Sequence, residues 1–258
     1  MATQYANGKI VTSGLVLALD AADRNSYVSG STTWNDLSGN GNNGTLINGP
    51  AFSYTNNGSI VFDGIDDYAN AIPASYSLTT GSITMFISHS LQNYYLCYYD
   101  RPNSKGSAYT GIVPTGIVQV GVTYNGTNHF FHINGNTYQA NILGIYAYDS
   151  VTPQSAGLFG RSRSDSGTSD NVYTYNFSMI PTSSGYSGTP NANTFFENFT
   201  TSSAGFFSYV QCIIGKLPAV SRPRNFSGRI YNINVYSKPL SSQEILQNYN
   251  AQKSRFNL

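Results

Sequence analysis

The stretch from Trp34 to Ile72 constrains the fold of this 258-residue chain more than any other part. It alternates turn residues with short β-branched or aromatic runs, in the order turn, strand, turn, strand, turn, strand. The segments GNGNNGT (Gly39–Thr45) and TNNGS (Thr55–Ser59) contain Asn-Gly pairs, which favour tight turns with positive φ. An arch of this kind leaves an apolar face uncovered, so the chain needs a second sheet to bury it.

Composition favours the same all-β class. The chain has 21 Tyr and 14 Phe and is rich in turn-forming residues. Further strands are predicted at Val11–Asp20, Ser82–His89, Asn93–Tyr99, Gly116–Tyr124, His129–Ile133, Asn136–Ile142, Val172–Ile180, Gly205–Gly215 and Ile230–Tyr236. Segments 100–110, 161–171 and 181–194 are predicted to be loops. A capping box at Ser241 and Glu244 predicts one helix, with Ile245, Leu246 and Tyr249 on its apolar face.

Several segments resemble the laminin-G-like, concanavalin A-like jelly rolls. They are LALDAADRNSY (Leu17–Tyr27), TWNDLSGNGNNGTLINGPAF (Thr33–Phe52), SIVFDGIDDYA (Ser59–Ala69) and FSGRIYNINVYSKPLSSQEILQNYNAQKSRF (Phe226–Phe256). The resemblance implies a two-sheet antiparallel jelly-roll sandwich with one short C-terminal helix. Residues 1–10 would be a polar N-terminal arm, and residues 11–258 one sandwich with an elaborated region at about 145–208. The ends of the chain are also similar to jelly-roll virion proteins of tailed phages.

Catalytic residues are scarce, and the sequence predicts that the protein is not an enzyme. Glycoside hydrolysis needs two carboxylates that face one bond. The chain has two glutamates: Glu244 begins the helix, and Glu197 has no acidic residue two positions away. The acids Asp63, Asp66 and Asp67 lie in a turn, where such residues usually bind the backbone. His129 and His132 are three apart on a predicted strand and therefore face opposite sides.

Two kinds of binding site remain possible on the sequence. Exposed tyrosines could stack on sugar rings, although alternation would place about half of them in the core. The candidates are Tyr94, Tyr95, Tyr98, Tyr99, Tyr173, Tyr175 and Tyr186. Laminin-G-like domains often bind calcium at one rim of the sandwich, and the candidate ligands here are Asp20, Asp23, Asn25 and Asp36. Otherwise no cofactor is expected.

Charge and targeting features exclude several partners. With 13 basic and 12 acidic residues, the chain has no electrostatic basis for binding nucleic acid. It shows no apolar run that could span a membrane and no signal peptide. The pairing of Cys97 and Cys212 stays open.

Two functional hypotheses follow. The first is a non-enzymatic virion structural protein, a capsid decoration or a tail or fibre component. It would form a homo-oligomer and contact other virion proteins through neutral polar surfaces, with residues 1–10 and 254–258 as docking segments. The alternative is a lectin-like, carbohydrate-binding module for a host-surface glycan, which could depend on calcium.

Overall fold

The computed structural model describes residues 4–5, 8–71, 80–91, 94–100, 105–109, 111–140, 156–165, 172–181, 207–217 and 224–258. The first half of the strands comprises β1 Gln4–Tyr5, β2 Gly8–Lys9, β3 Leu15–Asp20, β4 Thr33–Trp34, β5 Gly44–Ile47, β6 Ala51–Ser53, β7 Ser59–Asp63, β8 Tyr68–Ala71, β9 Gly81–His89 and β10 Tyr94–Asp100. The second half comprises β11 Lys105–Tyr109, β12 Gly116–Tyr124, β13 His129–Ile133, β14 Asn136–Gln139, β15 Ala156–Asp165, β16 Val172–Pro181, β17 Phe207–Ile214, β18 Lys216–Leu217, β19 Arg224–Asn225 and β20 Ser227–Tyr236. The α-helix α1 spans Ser242–Lys253, and short 3₁₀ turns lie at Thr55–Asn57 and Ser254–Phe256.

Two large antiparallel sheets form the sandwich, which confirms the predicted all-β class. The first sheet has the order β14-β13-β12-β9-β20-β7-β6, with β3 pairing with β20 beyond the end of β7. The second has the order β11-β10-β16-β15-β17-β8-β5-β4. Successive parts of the chain alternate between the two sheets, since β5 belongs to the second, β6 and β7 to the first, and β8 to the second again.

Two residues with positive φ accompany the first of these crossings. Asn48 and Gly49 have φ values of 68° and 95°, and they separate β5 from β6. Asn and Gly tolerate this left-handed region far better than other residues do. The chain therefore leaves one sheet and enters the other without strain.

The core lies between the sheets, and helix α1 adds a third layer outside the first sheet. Phe131 of β13 and Phe177 of β16 stack across the sandwich with ring centroids 6.3 Å apart. On the outer face, Phe86 of β9 stacks on Tyr249 of α1 and on Phe256. Because β9 is covered on both faces, almost all of its side chains are buried, which confirms it as a core strand.

The capping box at the start of α1 is also confirmed. The Ser241 side chain accepts the Glu244 backbone N–H, and the Glu244 carboxylate accepts the Ser241 backbone N–H. The predicted apolar face is partly wrong, because Leu246 is 47% exposed. Ile245 is buried as predicted, and the helix also buries Asn248, whose amide bonds both the Tyr236 hydroxyl and the Val11 backbone.

Two predicted loops are partly strands. Lys105–Tyr109 pairs with β10 as an edge strand, although 100–110 was expected to be a polar loop. Ala156–Asp165 pairs with both β16 and β17, so the expected loop 161–171 is a strand over its first five residues. Within 145–208, the described residues supply three neighbouring strands in the middle of the second sheet.

Some described residues of the segments expected to dock neighbours pack against the protein itself. Ile10 and Phe256 are buried, and the Lys9 carbonyl accepts a hydrogen bond from Gln247 of α1. Asn257 and Leu258 are exposed. Within the described ranges, α1 is too short and too polar to cross a membrane.

Candidate functional site

An exposed aromatic group lies at one edge of the first sheet, where β6 ends. Tyr54 is 78% exposed, and its ring packs edge-on against Phe52 with centroids 4.9 Å apart. Phe52 in turn packs against the buried Tyr27 at 5.2 Å. We call the loop 21–31 and the turn 54–58 together the Tyr54 rim.

Local chemistry holds the rim in shape. The Tyr27 hydroxyl donates to the Ser31 carbonyl at 2.9 Å, and burial raises the pKa of this phenol. Gly58 has a φ of 132°, and a Cβ at this position would lie 2.6 Å from the Ala21 carbonyl oxygen. Only glycine allows the turn to approach the loop so closely, so the two segments form one surface.

The two segments of the rim also carry polar and charged side chains. Asp23 Oδ1 accepts the backbone and side-chain N–H groups of Asn25 at 2.9 and 3.0 Å. Arg24, Asn25 and Asn57 are exposed. A large rigid ring with amide and charged groups nearby can bind a ligand that has both an apolar face and hydroxyl groups.

Asp20, one of the four candidate calcium ligands, lies directly beneath the rim. Its Oδ1 accepts from the Ala22 backbone and from Arg255 Nη1, both at 2.8 Å. Both side chains of this ion pair are about 95% buried, at 4% and 6% exposure. Arg255 Nε also donates to the Asn56 carbonyl at 2.9 Å, and Nη2 donates to the Gly58 carbonyl.

The other carboxylates of the candidate calcium set, those of Asp23 and Asp36, accept hydrogen bonds from backbone N–H groups. Asp36 accepts four hydrogen bonds, from the Ala18, Ser38 and Asn42 backbones and from the Ser38 hydroxyl. The structure does not bring Asp20, Asp23 and Asp36 together. Over the described part of the chain, the acidic residues that do cluster are Asp63, Asp66 and Asp67, with ligand oxygens within 4.8 Å of one another.

This acidic cluster forms a turn between β7 and β8. Asp63 Oδ1 accepts the Ile65 and Asp66 backbone N–H groups, and Asp67 Oδ2 accepts that of Asp63. The bond from Ile65 lowers the Asp63 pKa, whereas burial raises the Asp67 pKa. Opposite shifts can mark an acid–base pair, but here both carboxylates bind the backbone of their own turn, as the sequence predicts.

The candidate sugar-binding tyrosines lie elsewhere. Tyr94, Tyr95, Tyr98 and Tyr99 are in β10, and Tyr173 and Tyr175 are in β16, its neighbour in the second sheet. The structure describes the backbone of these six but not their side chains, and Tyr186 lies outside the described residues. Their role in binding a glycan stays a prediction.

The buried His132 has structural partners. His132 is fully buried, and its Nε2 lies 2.8 Å from Thr123 Oγ1, while Nδ1 lies 3.1 Å from Thr137 Oγ1. Thr123 Oγ1 continues to Ser82 Oγ at 2.7 Å, which accepts the Leu240 backbone N–H. Burial lowers the His132 pKa to about 3, so the ring is neutral and joins the sheet to the start of α1.

Sequence reasoning missed Tyr54, Phe52 and Arg255. A signal existed for Tyr54, since it directly precedes the Thr-Asn-Asn-Gly turn and therefore lies at the end of a strand. Arg255 gave no such signal, because Asp20 is 235 residues away along the chain.

Comparisons with known proteins support the fold. No protein-family model and no curated protein matches the chain. Among solved structures, it is similar to a Trypanosoma rangeli sialidase in complex with 2,3-difluorosialic acid (covalent intermediate), with 12% identity and a TM-score of 0.50. That match covers 96% of this chain and 34% of the sialidase chain.

The receptor-binding domain of botulinum neurotoxin type G is similar at 12% identity and a TM-score of 0.44, over 93% of this chain and 52% of that one. The chain thus spans about a third of the sialidase and about half of the toxin domain. At this level of identity, the likeness to the sialidase shows the β-sandwich fold alone.

Proposed function

We propose that this protein is a non-catalytic, lectin-like domain that binds carbohydrate at the Tyr54 rim. The observation that carries the proposal is the exposure of the Tyr54 ring, which packs edge-on against Phe52, itself packed against the buried Tyr27. A rigid, exposed aromatic ring loses little conformational entropy when a ligand covers it. The polar face of the rim would supply hydrogen bonds to sugar hydroxyls.

The proposed mechanism needs no reacting group. A sugar ring would stack on Tyr54 through its C–H face, and Asn25 and Asn57 would donate and accept hydrogen bonds at its edge. Arg24 adds an exposed cation, with no ion pair among the residues that the structure describes. Binding at such a shallow surface would be weak for one site and would gain from several copies.

A glycan panel tests this proposal. The purified protein is applied to immobilised oligosaccharides, both neutral and sialylated, and a bound sugar is then titrated calorimetrically. We expect Tyr54→Ala to weaken binding roughly tenfold or more, which corresponds to about 1.4 kcal/mol. Its exposed ring makes little contact with the core, so the fold should persist.

Tyr138→Ala is the matched control. Tyr138 lies on β14, at the opposite edge of the same sheet, where it is 37% exposed and pairs with Tyr109 at 4.8 Å. It should leave affinity unchanged. Equal losses of glycan affinity in the two variants would exclude the rim as the sugar site. The same conclusion would follow if the parent protein bound no glycan.

A second proposal concerns the setting of the protein. The similarity of the chain ends to phage jelly-roll proteins suggests a virion decoration or tail component. The low charge of the chain favours it, because an interface with a neighbour then buries few unpaired charges. The two proposals are compatible, since a particle protein can also bind glycans.

Quantitative mass spectrometry of purified particles tests the setting. Copies in a fixed ratio to the shell protein would support a decoration role, and a few copies per particle would support a tail or fibre role. Absence from particles would refute the virion proposal and leave the glycan proposal standing.

A further inference from the structure

The guanidinium of Arg255 lies among three oxygen atoms: two come from the turn of the rim, and one comes from Asp20, which directly precedes the rim loop. Nη1 binds Asp20 Oδ1 at 2.8 Å, Nε binds the Asn56 carbonyl at 2.9 Å, and Nη2 binds the Gly58 carbonyl. Each nitrogen of the planar fork therefore has its own acceptor. We call these three oxygens the rim oxygen pocket.

Two aromatic rings complete the surroundings of this cation. The guanidinium carbon lies 5.6 Å from the centre of the Tyr231 ring and 5.1 Å from that of Phe256. The Tyr231 hydroxyl also accepts from the Asn56 side-chain amide at 3.3 Å. Aromatic faces attract cations, so the two rings and the three oxygens all favour a positive charge at this position.

The chemistry of the pocket is that of a cation site. One carboxylate and two backbone carbonyls are ligands that calcium also prefers, but calcium needs its oxygens at about 2.3–2.6 Å from the ion. Here the three acceptors bind three different nitrogens on the outside of the guanidinium, two of them at 2.8 and 2.9 Å, so they lie farther than this from its central carbon. The pocket fits a guanidinium better than a bare metal ion.

We propose that Arg255 is a built-in cation that organises the Tyr54 rim, in the position that a bound ion would otherwise take. Asn56 and Gly58 belong to the turn that begins at Tyr54, and Asp20 ends β3 directly before the loop that carries Tyr27. Arg255 is thus a positioning residue for the rim. Ligand binding there depends on residues 254–256 and not on added calcium, an inference that rests on the proposed carbohydrate site.

Chemical rescue of Arg255→Ala tests the proposal. Thermal unfolding and glycan affinity are measured without additive, with millimolar methylguanidinium, and with sodium chloride at equal ionic strength. We expect the variant to lose both stability and affinity, and methylguanidinium to restore part of each. Sodium chloride should restore neither, because it lacks the three donors that the rim oxygen pocket requires.

Glu244→Gln is the matched control, because it breaks the other ion pair of the described chain, Lys238–Glu244, at the start of α1. It should lower stability, keep glycan affinity, and show no rescue. If Arg255→Ala fails to fold, Arg255→Lys keeps the charge with a single ammonium group, and it should lose affinity while keeping most of its stability.

Three results would overturn the proposal. They are an unchanged glycan affinity in a folded Arg255 variant, a lack of rescue by methylguanidinium, and a saturable calcium stabilisation of the parent protein that Asp20→Asn abolishes. A parent protein that binds no glycan would instead refute the carbohydrate proposal. The unfolding measurements would then still decide whether the pocket holds a cation.

Discussion

The buried ring of His132 should make stability depend on pH between 7 and 5. Burial lowers its folded pKa to about 3, whereas the unfolded ring titrates near 6.5. Because the folded pKa is depressed, the unfolded state takes up the proton first as pH falls. The contribution of the neutral His132 ring to the free energy of unfolding is therefore complete above pH 6.5, and it is lost progressively as pH falls from 6.5 toward 3.

The size of the effect follows from the pKa difference. A solution at pH 5 is about 1.5 units below the pKa of the unfolded ring, whereas the folded ring is still neutral there. At about 1.36 kcal/mol per unit, this costs about 2 kcal/mol of unfolding free energy between pH 7 and pH 5. His89, whose pKa burial also lowers, acts in the same direction.

Urea unfolding of the parent protein and of His132→Gln at pH 7, 6 and 5 isolates the ring. Glutamine keeps a neutral hydrogen-bonding side chain at position 132. His89 is present in both proteins, so its contribution cancels in the difference between their unfolding free energies. The parent should lose about 2 kcal/mol more than the variant over this range. Equal pH slopes in the two proteins would refute the reasoning. If the variant does not fold, NMR titration of the native ring serves instead, and protonation above pH 5 would contradict it.

Three further substitutions test the fold. Gly58→Ala should destabilise the protein and weaken glycan binding, because its φ of 132° and the nearby Ala21 carbonyl leave no room for a Cβ; hydrogen exchange of the turn would report it. Ser241→Ala should cost about 1 kcal/mol in urea unfolding through loss of the helix cap. Phe62→Ala, at 1% exposure, should cost roughly 3–5 kcal/mol by the same assay.

Features that rest on local chemistry were predictable. The positive-φ turn at Thr55–Ser59 and the capping box of α1 lie where the sequence places them, because a few adjacent residues determine each of them. Strands β11 and β15 were missed in whole or in part, because their polar sequences become strands only by pairing with β10, β16 and β17. Tertiary pairing overrides weak local preference in such cases.

The candidate site was less predictable than the fold. The sequence identified Asp20 as a candidate calcium ligand. In the structure its carboxylate forms an ion pair with Arg255, which is distant in the sequence, and no local pattern connects the two residues. Leu246 was also predicted incorrectly. Its helical spacing fits an apolar face, but the sheet does not cover this residue.

The position of β20 has a consequence for synthesis of the chain. This strand lies between β9 on one side and β7 and β3 on the other, and its residue Asn232 pairs with Asp20. Until residue 236 has left the ribosome, the first sheet exists only as three separate pieces with open edges, namely β14-β13-β12-β9, β7-β6 and the single strand β3. Open edges recruit other chains, so a stalled or truncated product should aggregate, and folding should be slow because its central pairing closes last.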